Sequence, residues 1–82
     1  MKHYVVLVDY SIDAVCEYGV DIIAVTHTLE EAKAVFANHI NEEKENASGW
    51  EVYTDTDVDF DAGENGYYKD NHLRLYIQEV FE

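Results

Sequence analysis

Eighty-two residues allow one domain with a single modest core, and a 48% apolar content that includes eleven aromatics predicts that the chain folds in spite of a formal net charge of −13. Five basic against eighteen acidic residues exclude direct binding to nucleic acid or an anionic membrane, where phosphate attraction becomes repulsion, and leave a basic protein surface as the partner class that charge favours. Cys16 is the only cysteine, so neither an internal disulfide nor a cysteine-built zinc or iron-sulfur site is available, and a reducing cytoplasm is the expected setting.

The N-terminus carries one lysine and then only Val5-Val6-Leu7-Val8 before Asp9, too short for a signal peptide or a bilayer span. Tyr4 to Tyr10 and Val20 to Thr26 are β-branched and aromatic runs that read as an antiparallel hairpin, with Ser11 to Gly19 connecting them. Thr28-Leu29-Glu30-Glu31 is a capping box: Thr28 accepts from a first-turn amide, Glu31 reaches back, and both glutamates favour the positive end of a helix. Leu29, Ala32, Val35, Phe36, His39 and Ile40 follow the spacing of one buried stripe, which dissolves over Asn41 to Asn46 and predicts a helix of about four turns. Trp50 to Phe60 reads as a third strand, Asp61 to Asn71 as a loop, and Leu73 to Phe81 alternates as a fourth strand. The order β-β-α-β-β predicts a two-layer α+β domain over residues 1–82, a four-stranded, mainly antiparallel sheet with one helix on one face.

One helix covers one face, yet the first strand is apolar on both: Val5 and Leu7 alternate with Tyr4, Val6 and Val8. Three covers fit the second face: the Asp61 to Asn71 loop with its Tyr67-Tyr68 pair, a second copy of the chain, or a partner protein, with a homodimer favoured over a partner.

Between Glu45 and Tyr68 stand seven carboxylates and no Lys or Arg, and Asp55, Asp57, Asp59 and Asp61 alternate strictly with Thr54, Thr56, Val58 and Phe60. In one extended strand the four would line a single face at intervals of about 6.6 Å, with the apolar partners turned to the core. A solvated face that deters edge-to-edge aggregation accounts for such a row. Against that reading, like charges two apart repel, Asp is a poor strand former, and no neighbouring Lys compensates. Retained repulsion points to use: the row would imitate a nucleic-acid backbone and occupy the basic groove of a nucleic-acid-binding enzyme.

In size, charge and Tyr/Asp-rich surface the chain resembles the small acidic proteins with which phages and mobile elements inhibit restriction and CRISPR enzymes. That resemblance implies a non-enzymatic inhibitor in which Glu51, Asp55, Asp57, Asp59, Asp61 and Glu64 replace phosphates, while Tyr53, Tyr67 and Tyr68 supply stacking and hydrogen-bonding area.

Rival chemistries find less support. Asp57, Asp59 and Asp61 have the spacing of a calcium loop, but Ala62 and Tyr68 occupy the positions where that loop needs glycine and a bidentate glutamate. His3, His27, His39 and His72 show no paired ligand spacing, and Cys16 lacks a nucleophile turn, so no metal, cofactor or catalytic residue is expected. A small metal-dependent enzyme using histidines and the Asp row is the remote alternative to the inhibitor and to a homodimeric accessory protein.

Overall fold

The computed structural model describes residues 1–13, 16–65 and 70–81. Its elements are β1 (Lys2–Ile12), β2 (Glu17–Thr26), α1 (Leu29–Asn46), β3 (Glu51–Asp55), β4 (Asp59–Asn65) and β5 (Asp70–Phe81). All neighbours pair antiparallel in one sheet of order β2-β1-β5-β4-β3, and α1 packs across β5, β1 and β2. The α+β class is as expected, but the strand count is five rather than four.

The extra strand comes from the segment read as a single run over Trp50 to Phe60. It is instead a hairpin, and Thr56 makes its turn: the Thr56 hydroxyl accepts from the amides of Val58 (3.2 Å) and Asp59 (3.0 Å), while its own amide donates to the Asp59 carbonyl at 2.9 Å. A threonine that bonds backbone two and three residues ahead competes with the strand ladder, which ends β3 there without glycine or proline. The segment read as a loop from Asp61 to Asn71 begins within β4, which continues to Asn65 and pairs with β5 from Asp59↔Tyr76 to Asn65↔Asp70, and it ends within β5.

The helix begins where the capping box puts it. The Glu31 amide donates to the Thr28 hydroxyl at 3.2 Å, and that hydroxyl donates to the Glu31 carboxylate at 3.1 Å. Thr28→Ala is expected to lower stability by about 1 kcal/mol, because a first-turn amide loses its acceptor. An unchanged urea midpoint would show that the cap is immaterial.

At its other end α1 runs on through Asn46, past the end of the apolar stripe, since Glu42, Glu43, Lys44 and Glu45 are good helix formers that need no buried face. Ala47 closes it, and Gly49 at φ 83° reverses the chain toward Trp50 in a conformation that favours glycine.

Between helix and sheet lies one core of Val6, Val8, Ala32, Phe36, Ala47, Phe60, Ala62, Leu73 and Leu75, edged by Tyr4, Tyr10, Ile23, Val35, Ile40, Trp50 and Ile77. The even residues of β1 and the odd residues of β5 from Leu73 to Ile77 point into it, as period-two alternation requires. In β2 the pairing steps from Val6↔Ala24 to Leu7↔Ile22, so Ile23 is a bulge residue that joins the core edge. That step also leaves both Ile22 and Val25 on the opposite, helix-free face, beside Leu7 and Val5.

Candidate functional site

The carboxylate row does not exist as one surface. The turn at Thr56 splits it; three of its four members meet a cation from another element, and the fourth, Asp61, meets His72. Asp55 bonds Lys44 of α1 at 3.2 Å, and Asp57, at the turn, bonds Lys33 of α1 at 3.2 Å. Asp59 takes the Arg74 guanidinium in a fork, Nε to one oxygen at 3.1 Å and Nη2 to the other at 2.8 Å. Asp61 lies 2.5 Å from His72 Nε2. The first two tie the β3–β4 hairpin to the helix, and the last two lie on the helix-free face of the sheet. The lysines and the arginine that the local sequence lacks arrive from residues 11 to 24 positions away, so the repulsion expected along one strand is relieved.

The other residues assigned to that surface separate as well. Glu51 is exposed on β3; Glu64 is exposed at the far end of β4 and accepts from Asn71 Nδ2 at 3.2 Å. Tyr53 lies over Gly63, where an added Cβ would meet its ring and hydroxyl at 3.0–3.1 Å and the Asn71 carbonyl at 3.2 Å, so this glycine makes room for the tyrosine. Tyr67 and Tyr68 lie outside the described residues.

Two of the histidines do meet: the His3 and His27 rings are 5.3 Å apart, tilted by 52°. His72 is engaged with Asp61, and His39 is half-buried on α1. Among the described residues no three His, Cys, Asp or Glu side chains are grouped to hold a metal ion, and no helix is long and apolar enough to cross a membrane. Cys16 is exposed, at φ 54° in the turn before β2.

A concavity lies elsewhere, under the C-terminal third of α1. A groove of about 460 Å³ is lined by Val8, Tyr10 and Ile12 of β1, Glu17 and Asp21 of β2, Glu43 and Asn46 of α1, Trp50 and Leu73. The alternation of β2 brings Glu17 and Asp21 to this side, across from Ile12 and Val8. Helix periodicity then sets Glu43 and Asn46 three apart above them.

Three carboxylates thus surround an apolar floor with two aromatic walls, and they bound a space rather than converge on a point. Burial pushes the Glu43 carboxyl up, and Glu42 adds to the rise, whereas a bond from Asn46 and the nearby His39 oppose it. Glu42 and Glu45 follow in the last turn, where the helix dipole disfavours negative charge, and the lysine among them, Lys44, is held by Asp55.

None of the groove residues is conspicuous in sequence: Tyr10, Glu17, Asp21, Glu43 and Trp50 are separated by up to 40 positions, and only their pairing in space unites them. The one local signal is acid at the C-terminal end of a helix, against the usual preference for Lys or Arg there. Family models, curated proteins and solved structures give no match to this chain.

Proposed function

We propose that this is a non-enzymatic acidic interaction protein that binds a basic protein surface through the groove beneath the C-terminal end of α1. The observation that carries this reading is the conjunction of Glu17, Asp21 and Glu43 with Tyr10 and Trp50 around one open cavity. An arginine or lysine side chain fits that lining: its stem lies on Val8, Ile12 and Leu73, its charge meets carboxylates, and an aromatic face adds cation–π attraction. The flanking Glu42 and Glu45 extend the negative field to neighbouring basic groups.

A basic groove built for a nucleic-acid backbone presents such a surface, so inhibition of a nucleic-acid-binding defence enzyme is the concrete form of the proposal. In that form the carboxylates of α1 and β2, not the paired Asp55 to Asp61 set, stand in for phosphates. A cytoplasmic location belongs to the same proposal, because the exposed Cys16 thiol is most stable in reducing surroundings.

The test uses an arginine-rich peptide as probe, titrated calorimetrically into the full chain. Binding is expected to weaken steeply as salt rises through the physiological range, where screening acts over about 8 Å. The triple variant Glu17→Gln, Asp21→Asn, Glu43→Gln is expected to lose at least about tenfold in affinity, equivalent to about 1.4 kcal/mol, whereas Asp57→Asn, whose partner Lys33 lies toward the other end of α1, leaves binding unchanged.

Affinity should also fall with acid, since a raised Glu43 pKa means that this carboxylate is neutralised at a higher pH than an ordinary glutamate. The same shift has a folding consequence. Stability associated with neutral Glu43 is present below the ordinary glutamate range and is lost as pH rises through the raised value, so Glu43→Gln should stabilise the free protein at neutral pH. A triple variant that binds the peptide as tightly as the wild type would overturn the groove as the site.

A further inference from the structure

The helix-free face of the sheet is divided along its width. On β2 the side chains Tyr18, Val20, Ile22 and Val25 are each between 57% and 67% exposed, and Val5 and Leu7 of β1 continue the strip inward. On β4 and β5 the same face is polar, and its negative charge is partly offset. Asp59 and Asp61 are paired with Arg74 and His72, and Asp9 of β1 stands directly across from Arg74. The molecule therefore carries an apolar strip bordered by partly offset charge on this face, and most of its uncompensated acid on the helix side and at the loop ends.

We propose that this strip is a self-association surface, on which a second copy of the chain packs its own β2 and β1 about a two-fold axis. Three observations select the second copy over other occupants. The first is charge. A chain of net charge −13 repels itself over most of its surface, and this face is where that repulsion is least. A basic partner, by contrast, is drawn to the helix side, and an anionic membrane is repelled by the net charge of −13.

The second is symmetry. Tyr18, Val20, Ile22 and Val25 run along one strand with the aliphatic pair Val20 and Ile22 in the middle, so a two-fold axis there sets the centre of one strip on the centre of the other and Tyr18 near the partner's Val25 end, an isologous contact. The third is area. The sheet side of a molecule measuring 45 × 20 × 17 Å offers roughly 900 Å², against about 800 Å² per partner in a standard interface. Within it, the four exposed side chains supply on the order of 400 Å² of apolar patch, large for a monomer, with the Arg74–Asp59 and His72–Asp61 pairs as the polar rim.

The two sheet edges point the same way. The β3 edge is five residues long, is bulged between Val52 and Thr54, and carries Glu51 and Asp55, the usual protections of an exposed edge. The β2 edge is ten residues long, and from Tyr18 to Val25 its helix-free face carries no charge. An interface that shields β2 accounts for the difference.

Sedimentation of the full chain tests the proposal. A dimer is expected at protein concentrations up to about 0.1 mM. Because two like-charged copies meet through an apolar contact, added salt should tighten it, opposite in sign to the effect expected for a basic partner in the groove. Ile22→Asp, and independently Val25→Asp, should weaken self-association by more than about thirtyfold, the effect of losing a hot-spot contact, with an unchanged circular dichroism spectrum because both side chains are exposed in the single copy. Val52→Asp, on the far side and far edge of the sheet, should leave the dimer intact. A wild-type chain that stays monomeric at every concentration would overturn the proposal and assign the strip to a different protein. A dimer indifferent to both β2 substitutions would overturn it as well. Neither result touches the groove, whose test is peptide affinity.

Discussion

Phe36→Ala is expected to cost about 3 to 5 kcal/mol and to leave much of the protein unfolded without denaturant. Phe36 is 2% exposed, midway along α1, in the cluster that joins the helix to Val6, Val8, Leu73, Leu75 and Phe60 of the sheet. Its ring is the largest side chain that the helix commits to that core; the other fully buried helical residue is Ala32. Truncation removes the transfer free energy of the ring and opens a cavity that flanking alanines are too small to fill. An 82-residue chain buries a small share of its surface on folding, so its total stability belongs at the low end of about 5 to 15 kcal/mol, comparable with the loss. Urea unfolding measures the effect, with Phe36→Leu as a control expected to cost less than half as much. A Phe36→Ala variant of normal midpoint would mean that α1 is not the cover of this sheet.

That residue was legible in the sequence, and the reason is local. The stripe Leu29, Ala32, Val35, Phe36, His39, Ile40 expresses helical periodicity within twelve residues, and the capping box at Thr28 depends on four consecutive ones. The two-sided apolar character of β1 was equally plain, and the structure leaves Ile22 and Val25 exposed on the helix-free face beside it. The turn at Thr56 was not legible, because strict Thr/Asp alternation has the period of a strand while each residue in it is also a good turn former. Which property wins depends on whether Val52 and Thr54 find Ala62 and Asp61 across a hairpin, a pairing that strand periodicity does not reveal.

The groove is further from reach, since it needs the β1–β2 register, the step at Ile23, and a helix that outlasts its own hydrophobic pattern. Once Ile23 is inserted, Asp21 and Glu17 face α1 and Ile22 faces away. One bulged residue therefore decides which side of β2 is acidic and which is apolar, and both the proposed groove and the proposed self-association strip depend on it.

Arg74→Ala is expected to lower stability by about 2 kcal/mol, more than any single substitution within the carboxylate row. Arg74 stands on β5 between Asp9 of β1 on one side and Asp61 of β4 on the other, forks onto Asp59, and stacks with its guanidinium 4.1 Å from the centre of the Tyr76 ring. Alanine there loses two charge-assisted hydrogen bonds and the stacking area, and it leaves three carboxylates on one face without an arginine. The side chains of Arg74 and Asp59 are 40% and 26% exposed, so water screens part of this, which holds the figure well below the about 3 to 5 kcal/mol of a fully buried pair. Arg74→Lys should recover only part of the loss, because a point charge keeps the attraction but not the fork. In the Arg74→Ala background, Asp59→Asn should be neutral or stabilising, whereas in the wild type it is destabilising; that change of sign in a double-mutant cycle is the signature of the pair. An Arg74→Ala variant with an unchanged urea midpoint would reduce the bond to an ordinary surface ion pair of about 0 to 1 kcal/mol and would return Asp59 and Asp61 to the solvent as free charge.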